Sequence, residues 1–216
     1  MTVLQNAGCN QRELPFYRAL ARFVVIAFVS TFSSQGIAVV PECCNNDATA
    51  SDIKKLALIA GQPSHGRLEH EYNAGCLLLA AKIRAFAPEW DVRVFRSGWP
   101  EEKGALEDAD AVVLFCDGGK RNLALVHQKE IDELTKRGAG LVLLHYALEM
   151  PDEEAGGKML DWIGGYFDPA RSVCTYWKTE IESLPDHPIA RGVESFDLDD
   201  ECYFNLRFRP AMKGVT

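Results

Sequence analysis

From residue 54 onward, apolar positions alternate between unbroken runs and helical spacing. KKLALIAG (54–61) is apolar throughout from Leu56 to Ala60 and ends in glycine, the pattern of a strand buried on both faces. EHEYNAGCLLLAAKIRAF (69–86) sets Leu78, Ala81, Ile83 and Ala85 at helix-compatible spacing and stops before Pro88, which predicts a helix over 69–86. DVRVFRSG (91–98) alternates like a strand, and ADAVVLFCDGG (109–119) is a continuous apolar run ending in Asp-Gly-Gly. ALVHQKEIDELTKRG (124–138) reads as an amphipathic helix with Val126, Ile131 and Leu134 on one side and Gly138 as its C-cap. GLVLLHYALE (140–149) opens as the next buried strand and closes on His145, Tyr146 and Glu149.

Apolar strands separated by helices imply an α/β fold with a mostly parallel sheet covered on both faces. Right-handed crossovers then bring the carboxyl ends of the strands to one edge, where open parallel sheets bind their ligands. Three strands end in polar or flexible tails: Gln62-Pro63-Ser64-His65-Gly66, Cys116-Asp117-Gly118-Gly119 and His145-Tyr146-Ala147-Leu148-Glu149. Their convergence would form a cleft with His145 at its mouth.

The first fifty residues follow another pattern. Arg18 and Arg22 lead into the apolar stretch FVVIAFVSTFSSQGIAVV (23–40), with small residues near Gly36 to Ala38, followed by the polar run ECCNNDATASD. This is the layout of an export signal. A membrane anchor through residues 23–40, a mis-called start codon or a buried helix are the alternatives. The expected organisation is therefore a signal peptide or anchor plus linker over 1–50 and one domain over 51–216, in an exported or membrane-anchored protein.

Composition narrows the partners. The 216 residues carry a formal net charge of -8, which repels a phosphate backbone and argues against nucleic acid. Hydrophobic residues make up 47% of the chain, ample for a core. Seven cysteines include no Cys-x-x-Cys pair, and Cys76, Cys116 and Cys174 stand where cysteine serves as a small hydrophobe. Asp117-Gly118-Gly119 resembles a phosphate-friendly loop, but no nucleotide fingerprint accompanies it, so no nucleotide is expected.

The polar tails carry the candidate chemistry. PSHGRLEHEYN (63–73) holds His65, Glu69, His70 and Asn73, with His70 and Asn73 three apart on the expected helix and so on one face. These residues suit either a zinc-like ion or general acid–base work on a polar substrate. Neither spacing matches His-Glu-x-x-His, and surface or loop roles for the two histidines are the plain alternative. In FDLDDECYFNLRF (196–208), Asp199, Asp200 and Glu201 stand ahead of an alternating strand. Their mutual repulsion calls for a cation or an arginine nearby, or else for a solvated loop. Trp99 in SGWP (97–100) is expected to pack over the sheet edge or stack on a sugar. WIGGYF (162–167) closes a helix at Gly164-Gly165, His127 lies on a helix surface, and His187 belongs to a turn.

Taken in order, PSHGRLEHEYNAGCLLLA, SGWP, DADAVVLFCDGG, GLVLLHYALE, WIGGYF, DHPIARGV and DDECYFNLRF resemble the ThuA-like (trehalose-utilisation) family, from Lys55 to Thr216. The resemblance implies a flavodoxin-like, three-layer fold of the class I glutamine amidotransferase superfamily and a link to trehalose or 3-keto-sugar metabolism. It implies catalytic roles for His145, Glu149 and His65, and substrate contacts from Glu69, Asn73, Tyr146 and Asp117. His65, His70, His145 and Glu201 are then the ligands of a divalent, zinc-like metal. His145 stands where amidotransferases carry a nucleophilic cysteine, so glutamine hydrolysis is not expected.

Two departures from the family are plain. Lys120-Arg121-Asn122-Leu123 follows Asp-Gly-Gly where the family often has His-Pro. RPAMKGVT comes before the further strand and helix that family domains usually show, so the domain is expected to be incomplete at its C-terminus. The implied function is a hydrolase- or lyase-type enzyme acting on a sugar derivative, with a non-catalytic carbohydrate-binding or interaction module as the alternative.

Overall fold

The computed structural model describes residues 53–213. The leader or anchor reading of residues 1–50 lies outside them, and among the described residues no helix is long and apolar enough to cross a membrane.

Four strands, β1 (Lys55–Ala60), β2 (Asp91–Phe95), β3 (Ala111–Phe115) and β4 (Gly140–Leu143), form one all-parallel sheet in the order β2-β1-β3-β4. The apolar runs predicted this for β1 and β3, whose Leu58, Ile59 and Leu114 are wholly buried. One face of the sheet packs through Leu56, Leu58, Val92 and Val113 against α1 (Tyr72–Phe86). The other packs through Ile59, Val112 and Leu114 against α3 (Gln128–Lys136) and α4 (Glu153–Trp162). Each fully buried leucine or isoleucine contributes about 1.5–3 kcal/mol, so the two central strands hold most of the sheet's stability.

Four expectations need correction. The helix expected over 69–86 starts at Tyr72, because Leu68 (φ 70°) and His70 (φ 41°) are left-handed and interrupt it. His70 and Asn73 therefore share no helix face. The buried side of α1 is Tyr72, Gly75, Cys76 and Ala80, small residues that let the helix approach the sheet, while Leu78 remains exposed. The helix expected over 124–138 is split at His127 into α2 (Leu123–Val126) and α3, and Val126 is exposed while Ile131 and Leu134 are buried. The His127 ring is no plain surface group, since it stacks on Trp99 with centroids 4.3 Å apart.

The third correction concerns β4, which is a four-residue edge strand rather than one buried on both faces. Val142 is 46% exposed, and the chain turns into a short 3-10 helix at His145–Leu148. The fourth concerns the acidic run. Asp199, Asp200 and Glu201 lie inside β7 (Phe196–Phe204), not ahead of it. β7 pairs antiparallel with β6 (Val173–Ile181) from Val173↔Phe204 to Ile181↔Phe196, a two-stranded ribbon beside the sheet. A second small pair joins β5 (Gly165–Tyr166) to β8 (Arg207–Phe208).

Other details follow the sequence. Gly164 (φ 89°) ends α4's turn, and His187 accepts a hydrogen bond from the Ile189 amide in its own short turn. Cys76 and Cys116 are buried, and burial pushes their thiols up to about 12 and about 11, as suits small hydrophobes.

Candidate metal centre

Because β1, β3 and β4 are neighbours, the three polar tails leave the sheet side by side at one edge. The β4 tail turns sharply. The Leu144 amide still donates to the Leu114 carbonyl (2.9 Å), and His145 then takes φ 53°. That conformation costs a side-chain-bearing residue about 1–2 kcal/mol. It brings His145 Nε2 to 2.9 Å from His70 Nε2.

The β1 tail is shaped by its own side chains. Glu69 Oε2 accepts from the Gly66 amide (3.1 Å) and Glu71 Oε1 from the Leu68 amide (2.9 Å), which folds the loop and presents His70. Asn73 is turned to the β2 tail, where it accepts from the Ser97 amide (3.0 Å) and donates to Ser97 Oγ (3.1 Å). Glu69 and Asn73 thus hold the loops that carry the site.

Three imidazoles form a row. His65 Nδ1 contacts Ser64 Oγ (2.8 Å) and His70 Nδ1 (3.0 Å), and the opposite nitrogen of His70 meets His145. Glu201 arrives from β7, with Oε2 3.5 Å from His145 Nε2. The ligand atoms of His70, His145 and Glu201 lie within 4.8 Å of one another and could hold a metal ion. Metal–nitrogen bonds of about 2.0–2.1 Å at tetrahedral angles separate ligand atoms by roughly 3.3 Å. The two pairs that meet at His145 Nε2, at 2.9 and 3.5 Å, bracket that value, and the third lies within 4.8 Å.

His65 is not one of the three. One imidazole cannot place both nitrogens on the same ion, so a His70 that binds through Nε2 keeps Nδ1 facing His65. His65 is thereby placed to orient His70, as outer partners of metal-bound histidines do. Burial first, and the neighbouring His145 and His65 next, lower the His70 pKa to about 4. Burial also lowers that of His145. Both rings are therefore neutral near pH 7, which is the ligating form.

Beside the row stands an acidic pair. Burial, and then the charge of Asp117, raise the pKa of Glu149. Burial followed by Glu149 pushes Tyr146 up to about 12. Asp117 is 6% exposed, makes no hydrogen bond through its carboxylate among the described residues, and forms an ion pair with Arg121. Tyr146 stands 5.5 Å from the His65 ring and 5.3 Å from the His70 ring, between the row and the carboxylates. The Gly119 amide donates to the Glu149 carbonyl (3.0 Å), and a Cβ on Gly118 would sit 2.7 Å from the Tyr146 carbonyl. The two tails are thus in direct contact.

An open groove of about 640 Å³ runs along the β2 tail past Asn73, Arg96, Ser97, Trp99 and Glu101. Tyr203 is the participant that the sequence reading passed over. It stacks on His145 with centroids 5.3 Å apart and leans on Phe167. Its signal was strand parity, because Tyr203 stands two residues after Glu201 on β7 and shares its face.

No family model, curated protein or solved structure matches the chain. What stands is an α/β fold whose all-parallel sheet is flanked by helices, and at its edge two histidines and a glutamate able to hold a metal ion.

Proposed function

We propose that this chain is a ThuA-like protein on a flavodoxin-like, amidotransferase-type scaffold. It acts on a sugar derivative, of the trehalose or 3-keto-sugar kind, by metal-assisted acid–base chemistry, in an exported setting supplied by residues 1–50. One observation carries the reading: His70, His145 and Glu201, from three separate parts of the chain, bring their ligand atoms within 4.8 Å of one another.

Two imidazoles and one carboxylate leave coordination positions open, the pattern of catalytic rather than structural sites, and the set suits zinc or iron(II). A divalent ion there would polarise a carbonyl or hydroxyl oxygen of a sugar. The chain's own groups would handle protons. Burial and the charge of Asp117 raise the pKa of Glu149, which places that carboxyl as the group to give up or take a proton beside the row. Tyr146 links that carboxylate to the histidine row. His65 positions His70, and Tyr203 shields His145 from water. His145 has no thiolate to offer, so acyl transfer from glutamine is not part of the reading.

The test is metal analysis of protein purified without chelator, together with product detection on oxidised and unoxidised disaccharides. About one transition-metal ion per chain is expected, lost in His70→Ala and His145→Ala and weakened in Glu201→Gln. Turnover of a keto-sugar should disappear in Glu149→Gln while the metal is retained. Metal-free protein that binds no added zinc or iron overturns the reading.

A further inference from the structure

We propose that the groove at the end of β2 is the subsite for the second ring of a disaccharide, with Arg96 and Glu101 as the pair that binds its hydroxyls. The groove belongs to the fold, while its occupant rests on the sugar reading of the metal centre above.

The groove is built on the turn Ser97-Gly98-Trp99-Pro100, which has no part in the metal centre. Ser97 takes φ 59° and Gly98 φ 133°, and the β1 tail holds both there. Asn73 bonds Ser97 twice, Gln62 Nε2 donates to the Ser97 carbonyl, and the Gly98 amide donates to the Ala60 carbonyl (2.8 Å). Backbone held against its preference in this way gathers where ligands are gripped. Asn73 also lines the groove and follows His70 by three residues, so one segment carries both a metal ligand and a groove wall.

The wall and the rim differ in character. Trp99 packs partly into the core and stacks on His127 with rings 7° from parallel, which pins the indole. A pinned aromatic ring offers the C–H face of a sugar an apolar wall with little ordering cost. Arg96 and Glu101 line the same groove, both exposed, and among the described residues neither makes a hydrogen bond or an ion pair. Ser97 Oγ accepts from Asn73 and keeps its own proton to donate.

Charge selects the ligand class. A guanidinium only donates and a carboxylate only accepts. Glu101 would repel an anion and Arg96 a cation. A neutral polyol suits both, because every hydroxyl donates and accepts. Distance sets the number of rings. His145 leaves β4, three strand spacings from β2 in the order β2-β1-β3-β4, and at about 4.8 Å each that edge measures roughly 14 Å. One pyranose ring does not cover such an edge. Two linked rings lie along it, one at the metal and one in the groove.

The experiment titrates trehalose, glucose and glucuronate calorimetrically into the full chain loaded with zinc. Trehalose should bind about ten-fold more tightly than either single ring. Arg96→Met and Glu101→Gln should each weaken trehalose about ten-fold, the worth of one hydrogen bond to a charged group, with melting temperature and zinc content unchanged. Either variant binding trehalose as tightly as the wild type overturns the pair. Glucose or glucuronate binding as tightly as trehalose, or no binding of any sugar, overturns the subsite. Protein that binds trehalose through Arg96 and Glu101 but takes up no zinc overturns the metal reading and leaves the groove standing. Protein that holds zinc yet is indifferent to both substitutions does the reverse.

Discussion

The parallel sheet and the β6–β7 ribbon supply the same cluster in opposite ways. His70 lies in the loop after β1, whose Leu58 and Ile59 are wholly buried, and His145 follows the edge strand β4, which is paired to β3 with its wholly buried Leu114. Glu201 stands on a ribbon whose Trp177 and Tyr176 face water. Two ligands are thus fixed by a core and the third by a fringe. Binding should therefore depend on the sheet for its geometry and on the ribbon for closure.

The largest effect expected from this contrast is on stability. Leu114→Ala removes a side chain with no exposure from the centre of the sheet and should cost about 2–5 kcal/mol in denaturant unfolding. Trp177→Ala, at a half-exposed position, should cost less than about 1 kcal/mol despite the larger side chain. Equal losses would break the comparison, because the ribbon would then belong to the core.

Asn122→Ala is next. Asn122 is fully buried, donates to the Ala147 carbonyl (2.7 Å) and caps α2 by accepting from the Ala124 amide (2.9 Å). Losing both bonds should cost about 1–3 kcal/mol and loosen the segment after His145. Weakened zinc affinity with the ribbon's exchange protection unchanged would localise the effect to the sheet side.

The smallest expected effect is a pH dependence. In metal-free protein His70 titrates near pH 4 when folded, against about 6.5 when unfolded, so between those values the unfolded chain binds more protons. Stability should be full above about pH 6.5 and decline as pH falls towards 4. Thermal melts in chelator should show this slope, and His70→Gln should flatten it. A slope unchanged in that variant would mean that His70 meets water as freely as an ordinary surface histidine.

Legibility in the sequence also divides along the same line. β1 and β3 announce themselves because strands buried on both faces must be apolar at every position, and the convergence of their tails follows from topology. The start of α1 was hidden because Glu69 and Glu71 bond to loop amides and Leu68 and His70 turn left-handed, none of which has a period. The spacing of Leu78, Ala81, Ile83 and Ala85 does not mark its buried side, because close packing against the sheet favours the small residues Gly75, Cys76 and Ala80. β4 read as buried because composition does not distinguish an edge strand from a central one. Glu201 was legible as a charge needing a partner. Its pairing with Tyr203 required knowing that the acids sit within a strand, where alternation decides which of them turns inward.

One turn of the backbone has a practical consequence. At φ 53°, position 145 would suit glycine better than histidine, which enters that region only under strain. A screen that ranks variants by melting temperature would accept His145→Gly as neutral or mildly improved and so discard the ligand unnoticed. At this residue robustness and chemistry pull apart, and thermal tolerance is the wrong guide to what the site needs.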